Sequence, residues 1–377
     1  MAVKAETSFS LADELFNADK VRRLGLAIGA AHPAFDTKRF RTEALARFPD
    51  LALKERIQHL VDLLTKELPS DFVAASAILQ DALPEPLDPS LEDDDFGEFI
   101  WVVPGEFVAR HGVTEEHLVR SLGFLREATK RFSSENAIRP FLARFPRQTM
   151  AFVHECAGDS NYHVRRLASE GIRPLLPWAP RVKLEHKDIV SVLDRLYTDP
   201  TRYVVRSVAN TLNDIAKLEP PLVTRTLTRW SRSAEADPKE FAWLKKHSLR
   251  TLTKQDDPAA FKLLGYTDKP KFRLAGIAAT ETVKVGDSFE WQGQLTSLAE
   301  QKLRIMLNVH FLKASGKHSA KRFLIKDGDF RAGEKLAIRK RQTFRPMTTR
   351  TLYPGEHFAE LIVNGVVRGR RGFRLTS

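Results

Sequence analysis

The spacing of apolar residues changes once along this chain, and that change constrains the fold more than any other feature. Up to about residue 265 they recur every three or four positions, as in Ile57-Leu60-Val61-Leu64 and Ile189-Val192-Leu193-Leu196, the stripe of one helix face. Beyond the Gly/Pro-containing stretch GYTDKPKF (265–272) they alternate, as over 302–312 and 357–363, which is the period of strands. Asn364-Gly365, between two alternating stretches, is a strong hairpin signal. The expectation is a helical domain over 1–265 and a β-domain over 271–377, with a linker that separates two independent cores. A chain of 377 residues is long enough for both.

The helical part also repeats. Polar helix starts recur at Ser133-Ser134, Asp159-Ser160, Asp199-Pro200 and Asp237-Pro238, and the last three lead into VRRLASEG, VRSVANTLND and WLKKHSLRTL. Val164 to Val205 is 41 residues and Val205 to Leu244 is 39, the period of two-helix HEAT-type repeats, whereas the Ser133 unit comes only 26 residues before the next. Such pairs stack into a solenoid with one long binding face. In the β part, seven or so short strands and no cysteine pair point to a disulfide-free immunoglobulin-like sandwich. The fold class expected is therefore a HEAT-like helical-repeat solenoid followed by an immunoglobulin-like β-sandwich. PEPLDPSLEDDDFGE (84–98) holds seven acids and no base, and reads as a solvated connection away from any face that meets a polyanion.

Charge narrows the partner. The net charge is +12, and residues 271–377 carry 21 Lys+Arg against 9 Asp+Glu, so the rest of the chain balances. A polyanion is implied, nucleic acid before membrane, because no amphipathic membrane helix accompanies the charge. No apolar run approaches the roughly 20 residues that span a bilayer, and MAVKAETSFSLADELF has no signal-peptide core. Cys156 is the single cysteine and the eleven histidines form no HExxH, so neither a disulfide nor a metal site is expected, and a reducing cytosol suits the chain. Candidate phosphate contacts are Arg165, Arg166, Arg173, Arg206, Lys245 and Lys246 beside the helical stripes. In the β part they are Arg339-Lys340-Arg341 and Arg368, Arg370 and Arg371. Each alone is equally an ordinary surface charge.

Four blocks, in order, carry a family likeness: SLADELFNADKVRRLGLAI with FDTKRF, then RFSSENAIRPFLARFP, then DSNYHVRRLASEGIRPLLPW, then VANTLNDIAK. Together they resemble the AlkC branch of the bacterial DNA alkylation-repair glycosylases, in the subgroup with a C-terminal immunoglobulin-like domain. The resemblance implies an array that wraps duplex DNA and hydrolyses the N-glycosidic bond of cationic alkylated bases, the class of 3-methyladenine, 3-methylcytosine and 1-methyladenine. It further implies a monomer in the bacterial cytosol with no metal or cofactor, and recognition without drawing the base into a tight pocket. The chemistry is coherent. A cationic base is already a good leaving group, so catalysis must stabilise the oxocarbenium-like sugar and position water, which carboxylates do, and an aromatic face can back the sugar cation. The resemblance assigns these parts to Glu170, Glu135, Asp214 and Trp178. From the residues alone, Glu170 reads equally as a surface ion pair with Arg166, Glu135 as a favourable charge at a helix start, Asp214 as a solvated helix end and Trp178 as a packing plug. Two other functions fit the same sequence: a non-catalytic DNA-binding scaffold, and a HEAT-type adaptor for an acidic protein.

Overall fold

The computed structural model describes residues 10–90, 96–233, 235–346 and 351–377, and among them lie sixteen α-helices followed by eight β-strands. The acidic run 91–95 falls outside the described residues. The chain forms two compact units. One holds the described residues up to Leu218 together with Ser233–Ser248; the other holds Glu219–Arg232 together with Leu249–Ser377.

In the first unit three expected helix starts are each preceded by an aspartate that holds the turn into it. Asp159, Asp199 and Asp237 each accept from a backbone N–H two residues on, at 2.8, 2.9 and 2.9 Å. Helices Tyr162–Glu170, Arg202–Ala216 and Pro238–Ser248 follow them. The Ser133 unit differs: Ser133-Ser134 opens a turn, and its helix begins only at Arg139. Helices Tyr162–Glu170 and Arg202–Ala216 pack side by side through Val164, Leu167, Val205 and Val208, all at most 2% exposed. Small residues let them approach closely: the Ser169 hydroxyl donates to Ser207 Oγ (2.6 Å), and Thr211 Oγ1 donates to the Ser169 carbonyl (3.1 Å).

Successive repeats are also stapled by ion pairs. Arg126 Nε donates to Asp159 (2.7 Å), Arg165 Nε to Asp199 (2.6 Å) and Arg202 Nε to Glu240 (2.7 Å). Each joins a basic residue of one repeat to an acid of the next. In the first two, that acid also accepts from the backbone N–H of the N-cap residue, Asn161 or Thr201, ahead of the next repeat's helix. One carboxylate thus serves both the staple and the turn into the helix.

The second unit contains the β-sandwich. Its strands are β1 (Phe272–Ala279), β2 (Thr282–Lys284), β3 (Ser288–Ser297), β4 (Gln301–Leu312), β5 (His318–Phe330), β6 (Lys335–Thr343), β7 (Gly355–Val363) and β8 (Val366–Thr376). They form a three-stranded sheet, β1-β3-β6, and a five-stranded sheet, β2-β8-β7-β4-β5. Inward residues of both sheets make one core, including Phe289, Trp291, Leu307, Leu361 and Phe373, with Phe289 and Phe373 stacked at 4.2 Å. Asn364 and Gly365 turn β7 into β8 with φ of 48° and 80°, the left-handed pair that a tight hairpin needs. The strand beyond the expected seven is the three-residue β2, too short for its alternation to show.

The stretch 265–272, read from the sequence as a linker, is bonded to the sandwich. Tyr266 Oη donates to Asp327 (2.5 Å), Lys302 Nζ to the Leu264 carbonyl (3.0 Å) and Asn364 Nδ2 to the Thr267 carbonyl (3.0 Å). The residues that precede β1 are therefore held by β4, β5 and the β7–β8 hairpin.

Candidate active site

Three of the four residues named for catalysis meet in the first unit as one chain of alternating charge. Glu135 accepts from Arg166 Nη1 at 2.8 Å. Arg166 Nη2 lies 3.8 Å from Glu170, whose other oxygen accepts from Arg173 Nη1 at 2.6 Å. Arg173 Nε then donates to Asp214 at 2.9 Å, and Lys217 reaches the far oxygen of Asp214 at 3.2 Å. Spacing along one helix and the turn that ends it produces half of the ladder: Arg166–Glu170 is an i, i+4 pair and Glu170–Arg173 an i, i+3 pair. The repeat produces the other half, because Glu135 and Asp214 come from neighbouring units.

Burial decides between the roles open to these acids. Glu170 is 4% exposed and Asp214 1%, so neither is a surface pair or a solvated helix end. Desolvation disfavours the Glu170 carboxylate, but Arg166, Arg173 and the Ser207 hydroxyl, which donates at 2.7 Å, outweigh it and hold its pKa below the ordinary carboxylate range. Burial likewise disfavours the charged form of Arg166, yet Glu135 and Glu170 raise its pKa. Glu135 is the exception in the ladder. It sits in the turn ahead of helix Arg139–Arg144 and keeps part of its side chain open to solvent. Arg166, Arg173 and Lys217 match the three carboxylates in number, and Glu135, at the open end, shares its one arginine with Glu170.

Trp178 stands apart from the ladder. It is 73% exposed and has φ of 61°, rare for any residue with a Cβ, so it is not a packing plug. Its carbonyl accepts from Lys54, and the same loop is closed where Arg181 Nη1 donates to the Pro174 carbonyl (2.9 Å). An indole held by its backbone and left bare at the ring is an arrangement suited to stacking on something outside the protein.

The basic residues divide into two groups. Arg165 and Arg173 are committed inside the protein, the first to Asp199 and to the Asp159 and Ser160 carbonyls, the second to Glu170 and Asp214. This corrects their reading as phosphate contacts: an arginine whose donors are already spent on buried acceptors has few left for DNA. Arg166 is likewise tied to acids, with its guanidinium stacked 4.6 Å over Tyr203. Arg206 and Lys245 are partly exposed and Lys246 is exposed. In the sandwich, Lys340 lies 4.4 Å over Phe323, Arg341 3.6 Å from Glu290 across exposed β6 and β3, and Arg370 3.8 Å over Phe358. Arg339, Arg368 and Arg371 are exposed.

Of the acidic connection 84–98, expected away from the binding face, the run 91–95 lies outside the described residues. Phe96, at its end, meets Tyr203 edge-on at 5.2 Å, and Tyr203 is the ring beneath Arg166. Tyr203 and Ser207 are site residues that sequence reasoning missed. The signal was present: Ser207 lies 37 residues after Glu170, close to the repeat offset, and Tyr203 is one turn before it. Among the described residues no group of three or more His, Cys, Asp and Glu could hold a metal ion, and no helix is long and apolar enough to cross a membrane.

Comparison with known proteins fits this geometry. Residues 274–377 match the family model described as the C-terminal Ig-like domain of the uncharacterised protein YhaZ. The YhaZ protein of Bacillus subtilis is 32% identical over 96% of this chain and 98% of its own length. A solved structure of the Pseudomonas fluorescens alkylpurine DNA glycosylase AlkC, bound to DNA containing an abasic site analog, superposes with a TM-score of 0.80. It is 31% identical, covering 98% of this chain and all of that one.

Proposed function

Because the chain belongs to the family of Bacillus YhaZ and Pseudomonas AlkC, we propose that it is a DNA N-glycosylase acting on cationic alkylated bases in duplex DNA. The observation that carries the reading is the ladder Glu135–Arg166–Glu170–Arg173–Asp214 with the bare ring of Trp178 in the same unit. The buried Glu170 carboxylate is held charged by fixed partners, at a desolvation cost that a functional role would justify. Here it opposes the positive charge that grows on deoxyribose as the base departs.

The parts divide by reach. Glu135 has the accessible carboxylate, so it is the group that takes the proton of an attacking water and meets the sugar. Glu170 lies one step inside, fixed by Ser207 and Arg173, and supplies preorganised negative charge that does not rearrange during reaction. Asp214 keeps Arg173 from neutralising Glu170 outright. Trp178 offers its face to the sugar or base at the lesion. Arg206, Lys246 and the exposed arginines of β6 and β8 bind phosphates.

The test is single-turnover incubation of the protein with duplex DNA carrying 3-methyladenine or 3-methylcytosine, scored as released base and abasic sites. Release that disappears in Glu135→Gln supports the assignment. Tight binding of undamaged duplex without release identifies a scaffold instead, and failure to bind duplex DNA at low salt identifies a protein adaptor.

A further inference from the structure

Among the described residues Arg139 is the most deeply buried basic side chain, at 1% exposure, and none of its hydrogen bonds there goes to a carboxylate. Its acceptors are three carbonyls. Nη1 donates to Gly171 (2.8 Å) and Arg173 (3.1 Å), and Nε donates to Pro180 (2.7 Å), while Nη2 has none. Burial, with Arg181 and Arg173 nearby, pulls its pKa down to about 10. A cation held this way costs stability, and an apolar side chain of similar volume is often at least as stable in such a place. The acceptors show what the charge does.

The Gly171 and Arg173 carbonyls belong to the turn that ends helix Tyr162–Glu170, directly after the glutamate of the ladder. Carbonyls at a helix end lack intrahelical donors, and this helix ends without a left-handed glycine: Gly171 has φ of −62°. Arg139 supplies the missing donors. The Pro180 carbonyl lies two residues past Trp178, in the loop closed by Arg181 and Pro174. One planar guanidinium thus joins the turn that aims Glu170 and Arg173 to the loop that presents Trp178.

We infer that Arg139 is a positioning residue for the reaction, setting the separation between the carboxylate ladder and the exposed indole. The inference rests on the site reading proposed above. Lysine cannot replace it, because a single ammonium on a flexible stem cannot bridge carbonyls in two segments with fixed geometry. The ring of Trp178 makes few contacts of its own, so its place depends on these backbone restraints and on Lys54.

The experiment compares Arg139→Lys, Trp178→Ala and the double variant, each checked for cooperative melting. Misplacing reacting groups by about 1 Å costs on the order of 10²-fold, so Arg139→Lys should lose about 10- to 100-fold in single-turnover release. Its affinity for lesion DNA should stay within about threefold. In the Trp178→Ala background the same change should cost clearly less, because the element being positioned is gone. Equal fold losses in both backgrounds, or a rate within threefold of the parent, overturn the inference. A second arm needs no activity. With 5-fluorotryptophan incorporated, the Trp178 fluorine resonance, assigned by its loss in Trp178→Phe, should move towards that of a free indole in Arg139→Lys. An unmoved resonance overturns the brace, even if the parent proves to release no base and the glycosylase reading fails by itself. Should Arg139→Lys not fold, Lys54→Met frees only the other strap. Trp178 should then remain restrained by Arg139, and a fully mobile resonance there counts against the inference.

Discussion

Glu170→Gln is the sharpest test of the proposed chemistry. The change removes one negative charge and keeps the side-chain shape. At an effective dielectric near 20, a unit charge about 5 Å from the sugar is worth about 3 kcal/mol. The loss of one preorganised charge-stabilising group is similarly about 2.7–4 kcal/mol, so release should slow about 10²- to 10³-fold. The variant will also lose stability, because the site is buried. The amide oxygen can still accept from Arg173, Arg166 retains Glu135 and Arg173 retains Asp214, so the cost is that of impaired buried hydrogen bonds, about 1–3 kcal/mol. Unfolding does not mimic the kinetic effect: even a protein with only about 5 kcal/mol of stability would remain about 97% folded after losing 3. DNA affinity should hold or rise, since the lost charge repels phosphate. Single-turnover release of 3-methyladenine from duplex DNA, beside a binding titration and a melting curve, separates the three quantities. Excision within threefold of the parent, in a variant that melts cooperatively, would refute the idea that Glu170 faces developing positive charge.

Trp178→Gly should move stability and activity in opposite directions, because glycine relieves the φ of 61° by up to about 1 kcal/mol while removing the ring; thermal melting and release assays read the two. Arg165→Ala should lower the melting temperature yet leave the salt dependence of DNA binding unchanged, since its donors go to Asp199 and backbone carbonyls; Lys246→Ala should instead reduce the log–log slope by about 0.9. The depressed pKa of Glu170 keeps it ionised in the folded protein as pH falls through the usual carboxylate range, so its pairing stabilises the fold fully above the unfolded carboxylate pKa and that stability is lost progressively as pH falls from there through the folded value. Accordingly, a pH–rate profile should show no acid limb from this group between pH 5 and 8. Ending the chain after Pro270 removes the partners of Leu264, Tyr266 and Thr267, and hydrogen exchange should show helix Pro258–Leu263 opening as a result.

The repeat was readable in the sequence because it depends on short-range signals, the Asp turns and apolar stripes that recur near every 40 residues. The Asn364-Gly365 hairpin was readable for the same reason. The role of Arg165 was not. Its neighbour Arg166 looks identical in sequence, and only the stacking of repeats sends one to Asp199 and the other to Glu135. Asp214 looked like the solvated end of a helix because its burial comes from Arg173, 41 residues earlier. Ion pairs across repeats leave no local pattern. Arg139 is the extreme case, since a lone arginine in NAIRPF carries no hint that its three acceptors lie 32, 34 and 41 residues ahead.

The ladder also bears on how such a protein changes over generations. Solenoids lengthen and shorten by duplicating or deleting whole units, because each unit touches only its neighbours. Here Glu135, Glu170 and Asp214 stand on three successive units and are joined by Arg166 and Arg173 across the boundaries between them. A unit inserted at either boundary would part an arginine from one of its two acids and cut the ladder at that point. The array is therefore free to gain or lose units on either side of the segment from Ser133 to Lys217, while that segment must be inherited whole.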